Sequence, residues 1–306
     1  MQSLWMLVAS FLFSIMGVCV KLASDTYSTA EIVAYRGVIG MAMILVLIRL
    51  QGGTLRTRMP FHHVWRGFIG VVALWMWFFA ITKLPLAMAV TLNYMSPIWI
   101  AVILFAAAWW HGKKQLEMGL ILAIALGFTG VVLLLRPSIH ADQMLGGFVG
   151  LGSGMLAALA YMQVRQMGLL GEPEYRVVFY FSATCFVAGM LGALLTGGVV
   201  AAQNISDWHH HGMRGFLLLL VIGLTAASAQ IAMTRAYRLG NTLVVANLQY
   251  VGIVFSSAWD LLLWHDVPKW TSWLGIAVIL ASGLIATFYN ARNNKPAIAS
   301  DPISSE

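Results

Sequence analysis

The chain has 306 residues, of which 60% are hydrophobic and 9% charged, with a mean hydropathy of +0.83. A soluble domain carries roughly 25% charged residues, so this chain cannot cover a water-facing surface, and hydrocarbon must surround most of it. Its net charge of +7 is spread over short segments between apolar runs, which argues against a nucleic-acid partner and fits orientation in a bilayer.

Ten apolar runs approach the roughly 20 residues that a membrane-spanning helix needs. They lie near residues 4–22, 32–50, 66–82, 86–109, 117–135, 146–164, 177–199, 215–234, 242–264 and 270–289. The predicted fold is therefore an all-α membrane protein. Short connections make consecutive helices antiparallel neighbours. The stretch before the first run, Met1 to Trp5, lacks the basic residues of a signal peptide, so that run is read as a retained helix.

The first run carries Ser10, Ser14, Gly17 and Lys21 on one face. Ser14 is a candidate substrate contact, although a serine here can equally bond the backbone one turn back or another helix. In the second run Arg36 lies about one turn inside the outer end, where it either reaches the interface or faces a cavity to bind a carboxylate or pair with Asp260. The third run is the shortest, between Arg66 and Lys83, and crowds Trp75, Trp77, Phe78 and Phe79 together. Trp77 is the candidate there for stacking on a flat or cationic substrate. The fourth run holds Asn93 and Tyr94. The fifth has Gly119, Ala123 and Gly127, small residues that let helices approach closely.

In the sixth run Gly154, Ala158, Tyr161 and Arg165 share a face, and Tyr161 and Gln163 are candidate contacts. His209, His210 and His211 follow the seventh run and suit a solvated loop better than a metal site. Gln230 in the eighth run is a candidate contact. The ninth contains Asn247, a further candidate contact, with Gln249, Tyr250, Ser256 and Asp260. Read as one continuous helix, it places Gln249, Ser256 and Asp260 on a single face, and a carboxylate within a membrane helix is costly enough to suggest a role in proton coupling or substrate contact. The tenth run repeats the small-residue stripe with Gly275, Ala277, Ala281 and Gly283. The polar tail, 291–306, is expected to be disordered. Cys19 and Cys185 read as small core residues.

Residues 80–130 and 236–286 align without a gap at an offset of 156, with Tyr94 on Tyr250, Asn93 opposite Gln249, and Gly119 on Gly275. The first and sixth runs align more weakly at 144. A duplicated helix bundle is the plan of a secondary transporter, with the substrate between the copies. With the N-terminus in the cytoplasm, 12 Lys and Arg fall inside, 5 outside and Arg36 within the membrane, which favours both termini inside. An odd number of helices per copy then inverts the second copy. The expected units are 1–139 and 140–290, each of five helices. The amide–tyrosine pairs Asn93–Tyr94 and Gln249–Tyr250 are the leading site candidates, since buried amides need partners and the repeat sets the pairs symmetrically. Runs five and ten are assigned to scaffolding, within the chain or between two copies of it, so a monomer and a homodimer both stand.

Neither a Gly-x-x-x-x-Gly-Lys-Ser/Thr loop, His-Glu-x-x-His nor Gly-x-Ser-x-Gly is present. An ATP motor, an enzyme and a bound cofactor are accordingly not expected.

The stretch Ala80-Ile-Thr-Lys-Leu-Pro-Leu-Ala, Pro97 in the fourth run, Arg36 in Tyr35-Arg36-Gly37 and Leu263-Trp-His-Asp266 before Gly275 resemble motifs of the EamA-type members of the drug/metabolite transporter superfamily. The resemblance spans residues 3–290. It departs from the family pattern at Trp110, where the first copy has no acid, and at Ile253, where the second has no proline. It implies a gradient-driven carrier of small organic metabolites in the inner membrane, with its cavity lined by helices other than the fifth and tenth. By analogy the substrate is an amino acid or related compound. Uptake of a nucleoside-like metabolite such as S-adenosylmethionine, a membrane-embedded enzyme and a channel remain as alternatives.

Overall fold

In a computed structural model the described residues are 2–83, 91–110, 118–135, 144–200, 212–264 and 270–293, excluding the side chains of 78, 81, 82, 108, 134, 135, 195–200, 260, 264 and 290–293. They are helical throughout apart from short connections. The helices are α1 (Trp5–Ala23), α2 (Thr29–Gln51), α3 (Pro60–Lys83), α4 (Ser96–Trp110), α5 (Met118–Leu135), α6 (Met144–Leu169), α7 (Glu174–Val200), α8 (Met213–Leu239), α9 (Thr242–Leu248), α10 (Val251–Trp264) and α11 (Trp270–Asn293). Among the described residues, seven helical segments are long and apolar enough to cross a membrane, and Thr91–Ala107 and Met118–Leu133 are shorter apolar helices.

Helix ends follow local chemistry. Ser28 and Glu31 form a reciprocal capping box at the start of α2, which ends at Gly52 with φ of +76°. The Asn241 side chain accepts from the amides of Leu243 and Val244 to start α9. The third helix begins six residues before the apolar run that announced it, so Arg66 belongs to α3 and is buried. That takes it out of the connecting segment. At the other end, α11 runs to Asn293, past the expected start of the tail at 291. His209, His210 and His211 lie outside the described residues.

The helices pack as α1 on α8, α3 on α6, α2 on α7 and α5 on α11, with smaller contacts of α1 with α10, α4 with α6, α2 with α8 and α3 with α7. Exchanging α1 with α6, α2 with α7, α3 with α8, α4 with α10 and α5 with α11 returns the same set of pairings.

Glycines show the same exchange at atomic detail. A Cβ on Gly37 of α2 would meet the Phe186 amide and the Ser182 carbonyl of α7 at 2.6 Å, and a Cβ on Gly189 would meet the Ala34 amide at 2.6 Å and the Ala30 carbonyl at 2.8 Å. The partners share one offset of 152 residues (Gly37 to Gly189, Ala30 to Ser182, Ala34 to Phe186). Backbones in such contact gain dispersion and leave no space for a side chain.

The stripe on α5 is used within the chain. Gly130 faces the Gly275 carbonyl and Ile279, and Gly119 faces the Tyr289 ring. Pairings with α8 escape the exchange: α6 packs on it, with Gly168 against Arg238, and so does α7, whereas among the described residues no comparable packing joins α3 to α1 or to α2.

Candidate functional site

Two chain breaks define the site. Residues 91–93 are helical, the chain turns at Tyr94 and Met95, and α4 follows. The Met95 amide donates to the Leu92 carbonyl at 3.2 Å. In the second copy α9 ends before a turn at Gln249 and Tyr250. There the amides of Tyr250, Gly252 and Ile253 each donate three residues back, at 3.2, 3.0 and 3.0 Å. These tight bonds replace the four-residue pattern. The repeat offset lays one break on the other.

Both runs were expected to be continuous, and the structure corrects this. Pro97 lacks the amide that would bond to the Asn93 carbonyl. The second break has no proline; there Tyr250 is wholly buried, with its ring beside Gly127, and the Asn247 side-chain Oδ1 lies against the same glycine. The correction extends to the expected polar face. The turn separates Gln249 from α10, and Ser256 is exposed, its hydroxyl donating to the Gly252 carbonyl of its own helix at 3.0 Å. The backbone of Asp260 belongs to α10, while its side chain lies outside the described residues.

The sequence candidates divide into two sets around these breaks. The first set surrounds the turns. Asn93 Nδ2 donates to Ser153 Oγ at 3.3 Å. Tyr94, half-buried, reaches the other break: a Cβ on Gly252 would stand 3.3 Å from its hydroxyl. Gln249 Nε2 donates to the Tyr161 hydroxyl at 3.3 Å, and the Tyr161 ring stacks on Tyr237 at 5.6 Å. Gln249 Oε1, Gln163 Oε1 and the Tyr237 hydroxyl are buried without a partner. Ser14 accepts from Trp259 Nε1 at 3.0 Å and donates to the Phe11 carbonyl at 2.7 Å. Trp77 is half-buried in α3. The second set turns toward the scaffold. Asn247 Oδ1 accepts from Ser282 of α11 at 3.5 Å, and Tyr250 lies on Gly127 of α5.

Arg36 and Gln230 come together around a small cavity that they line with Gly37, Phe181, Ser182, Cys185, Ala226 and Ala227. Beside it lies a residue that sequence reasoning missed. Arg66 is 3% exposed, and its Nε and Nη1 have no hydrogen-bond partner. Its guanidinium lies 4.2 Å from the centre of the Phe181 ring, and that of Arg36 lies 5.8 Å from the same centre. Tyr161 is within electrostatic reach of both cations. A signal for Arg66 existed in Gly70, one turn on, where a Cβ would collide with Nη1 and the Phe181 ring.

One end of the bundle is tied by polar contacts. His63 and Glu172 meet at 3.0 Å, Arg176 reaches Glu172 at 3.5 Å and the Thr54 carbonyl at 2.7 Å, and the Tyr180 hydroxyl donates to the Leu55 carbonyl at 2.9 Å. Burial alone raises the pKa of Glu172. Hydrogen bonds from His63 and Thr57, with the charge of Arg176, overcome that and hold it below the usual carboxylate range. Arg238 and Glu174 pair nearby at 3.1 Å.

Residues 1–136 match the model of the EamA-like transporter family. The pseudopaline exporter CntI of Pseudomonas aeruginosa is 33% identical over 280 residues, covering 91% of this chain and 90% of its own. The riboflavin transporter of Vibrio cholerae is 24% identical, covering 96% and 95%, and human solute carrier family 35 member G1 is 25% identical, covering 91% and 76%. A solved crystal structure superposes with a TM-score of 0.78 at 18% identity, covering 96% of this chain and 99% of that one. The chain is a multi-pass membrane transporter and belongs to the EamA-like transporter family.

Proposed function

We propose that the protein is a secondary carrier that exports a small polar metabolite of the amino-acid type across the inner membrane. It has ten spans in two inverted five-span repeats, 1–139 and 140–290, with both termini cytoplasmic. The observation that carries this reading is the pair of chain breaks at Asn93–Tyr94 and Gln249–Tyr250, equivalent in the repeat and in reach of one another through Tyr94. Broken backbone at membrane depth is tolerated where it lines a cavity, and carriers place substrates at such breaks. The self-exchanging pairings and reciprocal glycines support the two-fold relation.

Alternating access is supported by the asymmetry of the pairings with α8. α6 and α8 are joined at the end where Gly168 meets Arg238, and the network of His63, Glu172 and Arg176 closes the same end. Among the described residues α1 and α3 make no comparable packing. In the proposed orientation the cytoplasmic side is shut, so this conformer faces outward. Export agrees with the name of the pseudopaline exporter, the relative at 33% identity.

The test is flux into and out of proteoliposomes holding the full-length protein, with a panel of labelled amino acids and an imposed pH gradient. Saturable counterflow with trans-stimulation is the expected result. Flux that rises linearly with concentration, or no flux for any compound, rejects the carrier reading.

A further inference from the structure

Resting on that carrier reading, we propose that Arg66 and Arg36 form a two-cation subsite, and that the transported metabolite therefore carries at least two acidic groups. Arg66 is almost wholly enclosed, and two of its three nitrogens have no acceptor. A charge in that setting demands an opposite charge and hydrogen bonds. Two other arginines have carboxylate partners: Arg176 is paired with Glu172 and Arg238 with Glu174. Neither Arg66 nor Arg36 is in any ion pair among the described residues. What Arg66 has instead is the face of Phe181, the neutral side chains of Tyr161 and Cys185, and a second cation.

The two guanidinium groups share one ring, so they are no farther apart than the sum of their distances to it. Like charges so placed repel, and one neutral substrate leaves both uncompensated. An anion with an acidic group for each removes the repulsion, and each planar fork donates two parallel hydrogen bonds to a carboxylate. Gly70 gives the Arg66 guanidinium its place against the Phe181 ring, since a Cβ there would collide with Nη1 and with the ring.

The subsite belongs to the first repeat alone. The offsets that relate the repeats put Ile222 opposite Arg66 and Ala188 opposite Arg36. A single asymmetric substrate thus places its acidic end toward α2, α3 and α7, and its remainder toward Tyr161 and Gln249 at the second break.

The experiment is thermal unfolding of the purified full-length protein and of Arg66→Met, Arg66→Gln and Gly70→Ala. The probes are glutamate, aspartate, iminodiacetate and citrate, each beside a neutral amide partner such as glutamine or asparagine. Acids are expected to raise the midpoint by mass action, their neutral partners not to, and the Arg66 variants to need at least tenfold more acid for the same shift. Without any ligand, Arg66→Met and Arg66→Gln are expected to unfold at a higher temperature than the parent, because an unpaired buried charge is removed. A lower ligand-free midpoint for both variants makes Arg66 a structural residue and overturns the proposal. So does equal binding of neutral partners, or acid binding that survives in the variants. If no probe shifts the parent, the ligand-free midpoints decide.

Flux separates this proposal from the carrier reading. Acid-selective binding with no transport leaves the subsite and removes the carrier. Saturable transport of a neutral amino acid that is untouched by Arg66→Met leaves the carrier and removes the subsite.

Discussion

Gln249, at the turn between α9 and α10, donates its Nε2 hydrogen to the Tyr161 hydroxyl on α6 at 3.3 Å. The bond joins the break of one helix to the wall of another, and Gln249 Oε1 is left buried without a partner. A buried amide half-satisfied in this way is poised for a ligand donor. In a double-mutant cycle with Gln249→Ala and Tyr161→Phe, each change is expected to weaken substrate binding. Their coupling should be about 0.5–1.5 kcal/mol. Strict additivity, read from the dissociation constants of the four proteins, rejects a shared role.

The crossing of α2 and α7 makes a prediction about stability. Alanine in a helix is favoured over glycine by roughly 1 kcal/mol, yet at Gly37 and Gly189 the new Cβ would stand 2.6 Å from backbone atoms that cannot rotate away. Overpacking of this kind costs about 1–3 kcal/mol or more, so the clash wins. Gly37→Ala and Gly189→Ala should each lower the unfolding midpoint. Gly17→Ala, with nothing within 4 Å of the new carbon, should leave it equal or raise it. A destabilised Gly17→Ala beside an unchanged Gly37→Ala contradicts the crossing.

Much of this architecture was legible in the sequence, and the exceptions have physical causes. Hydrocarbon imposes long apolar runs, so helix positions are written into composition, and the repeat exposed the equivalence of Tyr94 and Tyr250. The breaks at those residues were not visible, because apolar periodicity continues straight through them. Pro97 marks one and Gly252 stands beside the other, whose geometry depends on Tyr250 and Asn247 lying against Gly127, a contact between distant segments. Arg66 was hidden for a different reason. It follows polar His62 and His63, and a cation there reads as the start of a span until α3 is seen to begin at Pro60. Ser14 was legible as a polar contact but not its partner, Trp259, which comes from a helix 245 residues away in sequence.

The loop between α6 and α7 predicts a pH dependence. The carboxyl of Glu172 is held below its usual range in the folded protein, so the folded state binds fewer protons than the unfolded one in the interval between the two values. Its stabilising contribution is complete above the ordinary carboxylate pKa of about 4.3 and is lost as pH falls through the lowered folded value. The difference in unfolding midpoint between the parent and Glu172→Gln should be constant near neutrality and shrink below about pH 4.3. A difference that grows on acidification reverses the sign and excludes the pairing with His63 and Arg176 as its source.

Asp260 carries a further prediction through the chemistry of its carboxyl group. It is a carboxylate in the apolar helix α10, next in sequence to Trp259, whose indole donates to Ser14 of α1 at 3.0 Å. Ionised carboxylates in hydrocarbon cost roughly 2.5–3.5 kcal/mol at mid-membrane on insertion scales. On the proposed alternating-access cycle, a change of solvation at α10 shifts its affinity for a proton, which is the requirement for coupling. Asp260→Asn keeps the shape and removes the titration. It should preserve substrate exchange at equal pH on both sides of a proteoliposome and abolish accumulation driven by a pH gradient. Full gradient-driven accumulation by Asp260→Asn assigns coupling elsewhere. Loss of exchange as well as accumulation makes Asp260 a substrate contact or a structural residue instead.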